Sequence, residues 1–169
     1  MGRSQARKVD VGLKVMVAVR TQESIIRNME IEDLDDVVEI EKRSYNYPWT
    51  PGIFRDCLRA AYSCLVITLD DHTVGYGIFQ FAAGEAHILN ICVDPSYRRQ
   101  GLARQMLHGL FSAMRNMRID SVYLEVRPSN TAAVDLYLEE GFNEIGTRSG
   151  YYRSRAGRED ALIMAKTVI

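Results

Sequence analysis

A basic loop with a single glycine lies near the middle of the chain, between an apolar segment and an amphipathic one. The apolar run 87–93 is stopped by Pro95, which cannot donate to a strand ladder, and Arg98-Arg99-Gln100-Gly101 follows. A strand, a glycine loop and a helix N-terminus together present unpaired backbone N–H groups and a positive dipole end to an anion. Arg104 adds positive charge, and Gly101 permits close approach because it has no Cβ. The loop therefore predicts a phosphate-binding site.

The signatures of other common sites are missing from the sequence. A P-loop carries Lys-Ser or Lys-Thr after its second glycine, and a dinucleotide-binding turn needs three glycines and a downstream acid. The histidines His72, His87 and His108 lack the spacing to cysteines or acids that a zinc site requires. No G-x-S-x-G elbow marks a nucleophilic serine. We therefore expect no metal and no covalent enzyme intermediate.

Hydrophobic periodicity predicts the elements that hold this loop. Strands are expected at 24–29, 63–69, 74–82, 85–93, 121–126, 143–152 and 160–166, helices at 30–43, 51–61, 101–117 and 131–140, and turns at 70–73 and 153–158. This order describes an α/β fold with a mixed central sheet of six or seven strands and helices on both faces. A right-handed βαβ unit then brings segments 98–103 and 125–130 to the same edge of the sheet.

Composition restricts the class of protein. The chain has 169 residues, 47% of them hydrophobic, and a net charge of −1, which argues against direct binding to nucleic acid. No apolar run approaches the ~18 residues of a membrane span. The cysteines Cys57, Cys64 and Cys92 form no C-x-x-C pair and are expected to be free thiols in a reducing, cytoplasmic compartment. We expect residues 1–23 to be a loosely ordered extension and 24–169 to be one domain.

Several motifs, in order along the chain, resemble the GNAT family of acetyltransferases. Arg98-x-x-Gly101-x-Ala103 is similar to the family's acetyl-CoA pyrophosphate loop, and 124–133 with Leu136-Tyr137 is similar to its core. The segments 47–50 and 157–161 resemble the branch that acetylates protein N-termini, above all the RimI type, which acts on the N-terminal alanine of a small-subunit ribosomal protein. The resemblance implies acetyl-CoA as co-substrate and a protein N-terminus as acceptor, without a membrane or nucleic acid, and leaves the oligomeric state open.

The resemblance also implies roles for individual residues. Glu125 would be the general base that acts on the amine through water, and Tyr137 the acid that protonates the departing sulfur. The acetyl-CoA-binding residues would be Ile91, Cys92, Val93, Arg98, Arg99, Gln100, Gly101, Leu102, Ala103, Arg104 and Asn130, and the acceptor-binding residues Tyr47, Trp49, Tyr152 and Asp160. The backbone of 91–93 can serve the co-substrate only if its strand splays away from strand 121–126.

Several of these residues also have an ordinary structural interpretation. Glu125 could be a solvated carboxylate at a strand end, and Tyr137 a helix tyrosine in the core. Asn130 could simply be the N-cap of the following helix. Surface acids such as Glu41 and Asp160 could attract a basic peptide. The sequence alone does not decide between these interpretations.

Two other functions stay open at this stage. The same fold could acetylate a lysine or a small-molecule amine. An α-amine has a pKa of about 7.7–8 against about 10.4 for lysine, so a modest base suffices for an N-terminal acceptor. A non-catalytic coenzyme A-binding module is the alternative from another class, and the presence of both Glu125 and Tyr137 argues against it.

Overall fold

The computed structural model describes residues 23–60 and 62–168 of the chain. The predicted N-terminal extension, 1–23, lies outside the described residues except for Glu23. The elements are β1 (Ser24–Asn28), α1 (Leu34–Ser44), α2 (Pro51–Arg59), β2 (Ser63–Leu69), β3 (His72–Ala82), β4 (Glu85–Val93), α3 (Leu102–Met117), β5 (Ser121–Val126), α4 (Thr131–Glu139), β6 (Asn143–Ser154) and β7 (Gly157–Thr167). Their order confirms the predicted α/β fold.

The strands form one mixed sheet of seven strands in the order β1-β2-β3-β4-β5-β7-β6. All neighbouring pairs are antiparallel except β4 and β5, which are parallel and joined through α3. This crossover is the predicted βαβ unit, and it brings the loop before α3 and the loop after β5 to the carboxyl ends of the two parallel strands.

Helices cover both faces of the sheet, and each face has its own core. On one face α1 and α2 bury Val37, Ile40 and Phe54 against β3, where Tyr76 lies fully buried. On the other face α3 buries Met106, Leu107, Leu110 and Met114, which are spaced one, three and four residues apart. This is the apolar stripe expected of an amphipathic helix. The central strands of the sheet are therefore buried on both sides.

Both predicted hairpin turns are shorter in the structure than the sequence suggested. Between β2 and β3 only Asp70 and Asp71 lie in the turn, with φ of 47° and 64°. Two central residues with positive φ match the twist of a tight hairpin, and aspartate tolerates that region. The prediction of a polar loop at 153–158 is wrong, because β6 and β7 extend into it and leave a turn of only Arg155 and Ala156.

All three cysteines are buried free thiols, as predicted. Among the described residues, no helix is long and apolar enough to cross a membrane.

Candidate active site

The parallel strands β4 and β5 pair over only part of their length. Their ladder runs from Glu85 opposite Ser121 to Ile88 opposite Leu124, and no pair joins the two strands beyond it. The register of β4 against β3 also shifts here, because Leu89 is an extra residue between Ile88 and Asn90. Residues 89–93 therefore turn a row of backbone groups toward the gap. The splay that the sequence could state only as a condition is present.

A large cleft of about 830 Å³ lies at the open end of this splay. Every predicted acetyl-CoA-binding residue lines it except Gln100: Ile91, Cys92, Val93, Arg98, Arg99, Gly101, Leu102, Ala103, Arg104 and Asn130. A small pocket of about 180 Å³ adjoins the cleft and shares Tyr45, Tyr47 and Tyr137 with it. The two cavities therefore adjoin along residues that they share.

The glycine loop ends where the backbone enters α3. Arg99 and Gly101 have φ of 65° and 77°, and Gly101 is the N-cap of the helix. This left-handed conformation favours glycine, and the first N–H groups of α3 have no partner within the helix. They lie beside the cleft, because Leu102 and Ala103 both line it.

The arginines of the loop are engaged in different ways. Arg98 donates from Nε to the carbonyl oxygen of Val93 at 3.2 Å, which folds the loop back on the end of β4. Arg104 pairs with Glu139 and, through Nε at 2.8 Å, with Glu140. The positive charge of Arg104 is therefore directed toward the C-terminus of α4, a pairing that the sequence did not indicate.

Glu125 lies near the end of β5, beyond the last pair with β4, and lines the small pocket. Its side chain is partly buried, and Oε1 accepts a hydrogen bond from Nη1 of Arg148 at 2.6 Å. It is thus neither fully solvated nor part of the core.

Tyr137 lines both the large cleft and the small pocket. It projects from α4, is 8% exposed, and packs edge-on against Phe142 with ring centroids 5.5 Å apart. Burial raises the pKa of its hydroxyl to about 12, so the group stays protonated well above neutral pH. At neutral pH the hydroxyl therefore carries its proton and can donate a hydrogen bond or the proton itself to a negative charge that develops beside it in the pocket.

The structure shows what surrounds Asn130 and Cys92, which the sequence left open. The Oδ1 of Asn130 accepts from the backbone N–H of Ala133 at 3.3 Å, which confirms the predicted N-cap of α4. Cys92 is buried, and burial is the main cause that raises the pKa of its thiol. A thiol that resists ionisation is a poor nucleophile, which favours direct transfer over an acyl-enzyme.

Three of the four predicted acceptor residues meet at the small pocket. Tyr47 and Trp49, from the α1–α2 connection, and Tyr152, from β6, all line it. Asp160 lines neither cavity. Its Oδ1 accepts from the backbone N–H of Gly150 at 2.7 Å and so holds an irregular stretch of β6. The contact between Asp160 and the acceptor stays a prediction.

Sequence reasoning missed several residues that shape the site. Arg127 stacks 4.2 Å above the ring of Tyr152 and donates to Glu159 at 3.1 Å. Glu159 also accepts from the backbone N–H of Ser129 at 2.9 Å, so it joins the loop after β5 to the closing hairpin. Tyr45 lines both cavities, and burial raises its hydroxyl pKa well above the ordinary value. No local pattern distinguishes these residues from surface arginines, glutamates and tyrosines.

The histidines, cysteines, aspartates and glutamates of the described segments form no group of three or more that could hold a metal ion.

Comparison with known proteins places this architecture in a family. Residues 34–142 match the model of the acetyltransferase (GNAT) family. The chain is 39% identical over 140 residues to the [ribosomal protein bS18]-alanine N-acetyltransferase of Escherichia coli K12, an alignment that covers 83% of this chain and 95% of the relative.

Solved structures agree with the sequence match. The crystal structure of the ribosomal-protein-S18-alanine N-acetyltransferase from Escherichia coli superimposes with a TM-score of 0.82 at 37% identity, over 86% of this chain and 94% of the other. The fold is also that of the PaiA N-acetyltransferase from Thermoplasma acidophilum, solved in complex with coenzyme A, with a TM-score of 0.71 at 17% identity, over 86% of this chain and 99% of that one.

Proposed function

The chain belongs to the GNAT family of acetyltransferases, and we propose that it moves the acetyl group of acetyl-CoA to the free α-amine of a protein N-terminus. The similarity to enzymes named for ribosomal protein bS18 makes the N-terminal alanine of that protein the proposed acceptor, which would place the reaction in the cytoplasm. The observation that carries the proposal is that Glu125 and Tyr137 line one small pocket that adjoins the large cleft.

The residues of the large cleft fit acetyl-CoA. Its pyrophosphate is an anion, and the left-handed loop at Gly101 opens onto the N-terminus of α3 beside Arg98 and Arg99. Its pantetheine arm carries amide groups, and the edge of 89–93 that β5 leaves unpaired can bond to them as a strand would. When bound, acetyl-CoA supplies an activated acetyl group as a thioester.

Glu125 is the proposed general base. An α-amine has a pKa of about 7.7–8, so about a tenth of the molecules are already neutral near pH 7. A carboxylate acting through a bridging water is therefore a strong enough base to deprotonate the ammonium form. Glu125 lines the pocket, and Arg148 holds its carboxylate in one orientation there.

Tyr137 is the proposed general acid. It borders both cavities, so it stands where the thioester end of a ligand in the large cleft would meet an amine in the small pocket. Its raised pKa keeps the proton on the phenol until a thiolate develops beside it. A fixed backbone N–H of Ile91 or Cys92 would stabilise the developing oxyanion.

The acceptor would enter between the α1–α2 connection and the closing hairpin. The aromatic residues Tyr47, Trp49 and Tyr152 line this pocket, which has a volume of about 180 Å³. A pocket of that size suits a terminal residue with a small side chain better than a long lysine side chain with its flanking backbone. This supports an N-terminal alanine over an internal lysine.

Mass spectrometry of peptides incubated with the protein and acetyl-CoA tests the proposal. The panel pairs peptides that start with alanine, serine or methionine and contain no lysine with N-blocked peptides of the same composition plus one internal lysine. Acetylation confined to free termini, alanine first, is expected, and Glu125→Gln should abolish most of it. Modification of the lysine peptides alone would contradict the N-terminal assignment and favour the lysine alternative. Tight binding of coenzyme A with no product on any peptide would favour a binding module.

A further inference from the structure

The small pocket contains a second carboxylate that the proposed chemistry does not use. Glu41 lies on α1 and lines the pocket together with Glu125. The sequence suggested a surface acid, but the side chain is buried, with 1% of the residue exposed. Burying a carboxylate costs free energy unless it is fully hydrogen-bonded, so its hydrogen-bond partners indicate its role.

The partners of Glu41 are neutral donors from three separate parts of the chain. Oε1 accepts from the backbone N–H of Trp49 at 2.8 Å. Oε2 accepts from the hydroxyl of Tyr76, in the middle of β3, and lies 3.5 Å from Nδ2 of Asn90. Among the described residues, no lysine, arginine or histidine forms an ion pair with it.

These contacts join the two walls of the small pocket. Trp49 belongs to the α1–α2 connection, the wall that the acceptor would pass. Asn90 immediately precedes Ile91 in the splayed part of β4, the wall along which the thioester would lie. Nδ2 of Asn90 also reaches the Tyr76 hydroxyl at 3.2 Å, so the three side chains form one hydrogen-bonded cluster.

Aromatic packing connects the same parts a second time. The ring of Trp49 packs on Phe54 with centroids 5.5 Å apart, and Phe54 packs edge-on against Tyr76 at 5.4 Å. Apolar packing of this kind permits sliding, whereas a carboxylate that accepts from a backbone N–H fixes one position. The hydrogen bond to Glu41 therefore sets where Trp49 stands relative to β4.

We propose that Glu41 is a positioning residue for the acceptor, which holds Trp49 against the splayed strand so that the amine reaches the thioester at the correct distance. The proposal rests on the acetyl transfer proposed above. It predicts an effect on acceptor recognition that is separate from acetyl-CoA binding, because Glu41 lines the small pocket and not the large cleft.

Steady-state kinetics on three variants tests the assignment. Glu41→Ala should raise KM for an alanine-first peptide at least tenfold while the Kd for acetyl-CoA, measured by calorimetry, stays within twofold. Glu41→Gln keeps an oxygen that can accept from the Trp49 N–H and should recover most of the loss. Glu39→Gln is the matched control, since Glu39 is exposed on the same helix and pairs with Lys42 at 2.8 Å. It should behave as wild type.

Trp49 gives a second measurement that needs no turnover. It is the only tryptophan in the sequence, so tryptophan fluorescence, excited selectively over tyrosine, reports on this loop alone. Glu41→Ala should shift its emission to longer wavelength and weaken the change that peptide binding causes. If Glu41→Ala fails to fold, Asn90→Ala, at a half-buried position, removes one member of the cluster and should show the same changes at smaller size.

Either of two results would overturn the proposal. One is a Glu41→Ala enzyme that folds with unchanged peptide KM and unchanged Trp49 emission. The other is an equal loss in Glu41→Gln and Glu41→Ala that appears only in kcat, which would mean that the charge acts on the chemistry. If wild type acetylates no peptide, the proposed function fails by itself, and fluorescence still decides whether Glu41 positions Trp49.

Discussion

Arg148 donates from Nη1 to Oε1 of Glu125 at 2.6 Å, so the proposed base is held by a cation from the edge strand β6. Arg148 stands just before the point where β6 loses register with β7, and its guanidinium also stacks 4.9 Å from the ring of Tyr151. Residues 149–151 bulge out opposite Asp160, which accepts from the backbone N–H of Gly150. The irregular strand thus orients the Arg148 side chain toward Glu125 at the small pocket.

Replacing Arg148 with alanine should lower kcat for an alanine-first peptide about tenfold, because Glu125 would lose the group that orients it. The peptide KM should change less. Arg59→Ala is the control, since Arg59 is highly exposed and 3.7 Å from its partner Asp56. Stopped-flow or continuous detection of released coenzyme A gives the rates. A kcat equal to that of wild type would show that Glu125 needs no such support.

The order of elements could be predicted from local signals, and most residues of the large cleft from motifs that resemble the GNAT family. Periodicity places the strands and helices, and the glycine loop, Asn130 and Tyr137 belong to contiguous motifs. The structure adds relationships between distant segments. Glu41 contacts residues 8, 35 and 49 positions away, and no local pattern reveals that it is buried.

The wrongly predicted loop between β6 and β7 has a physical cause as well. Residues 153–158 are polar and include Gly157, a composition typical of a loop, yet two exposed strands can carry polar side chains on both faces. Asp160 lies within the family-like segment 157–161, and its contact with the acceptor stays a prediction. Its carboxylate accepts from the backbone N–H of Gly150 in the bulge of β6, an irregularity that depends on pairing between strands and that no local pattern reveals.

Tyr137→Phe should lower kcat about a hundredfold, because general acid catalysis typically contributes 10²–10⁴. The change removes one oxygen from a site that is already apolar on the Phe142 side, so the fold should persist. Tyr123→Phe is the matched control, because Tyr123 is a half-buried tyrosine on β5 that stacks on His87 and lines neither cavity. Loss of activity in both variants would point to a general effect of removing a buried hydroxyl.

The same hydroxyl should also make stability depend on alkaline pH. Its pKa is about 12 in the folded protein and about 10 when unfolded, so the folded state keeps a proton that the unfolded state loses. That contribution is complete below pH 10 and is lost as the pH rises toward 12. Wild type should therefore lose about 2–3 kcal/mol more than Tyr137→Phe over this interval. Urea unfolding at several pH values measures the difference, and parallel curves would contradict it.

Two substitutions at Asn130 separate its helix cap from its proposed contact with the co-substrate. Serine is as good an N-cap as asparagine, so Asn130→Ser should keep wild-type stability, whereas Asn130→Ala should lose about 1 kcal/mol. Both lack the amide that would reach the pantetheine arm, so both should raise KM for acetyl-CoA by several fold. Thermal unfolding and kinetics at varied acetyl-CoA measure the two effects. If Asn130→Ser binds acetyl-CoA normally, the residue is a cap alone.

Gly101→Ala should impair acetyl-CoA binding more than it impairs folding. A Cβ at this position would meet no atom within 4 Å, so the folding cost comes only from φ of 77°, about 1 kcal/mol. The methyl group would instead stand at the N-terminus of α3, where the pyrophosphate is proposed to approach the backbone. We expect the Kd for acetyl-CoA, by calorimetry, to rise at least tenfold. Gly52→Ala is the control: in the first turn of α2, with ordinary φ, it should leave Kd unchanged. Equal Kd values for the two variants would mean that the phosphates bind elsewhere along the cleft.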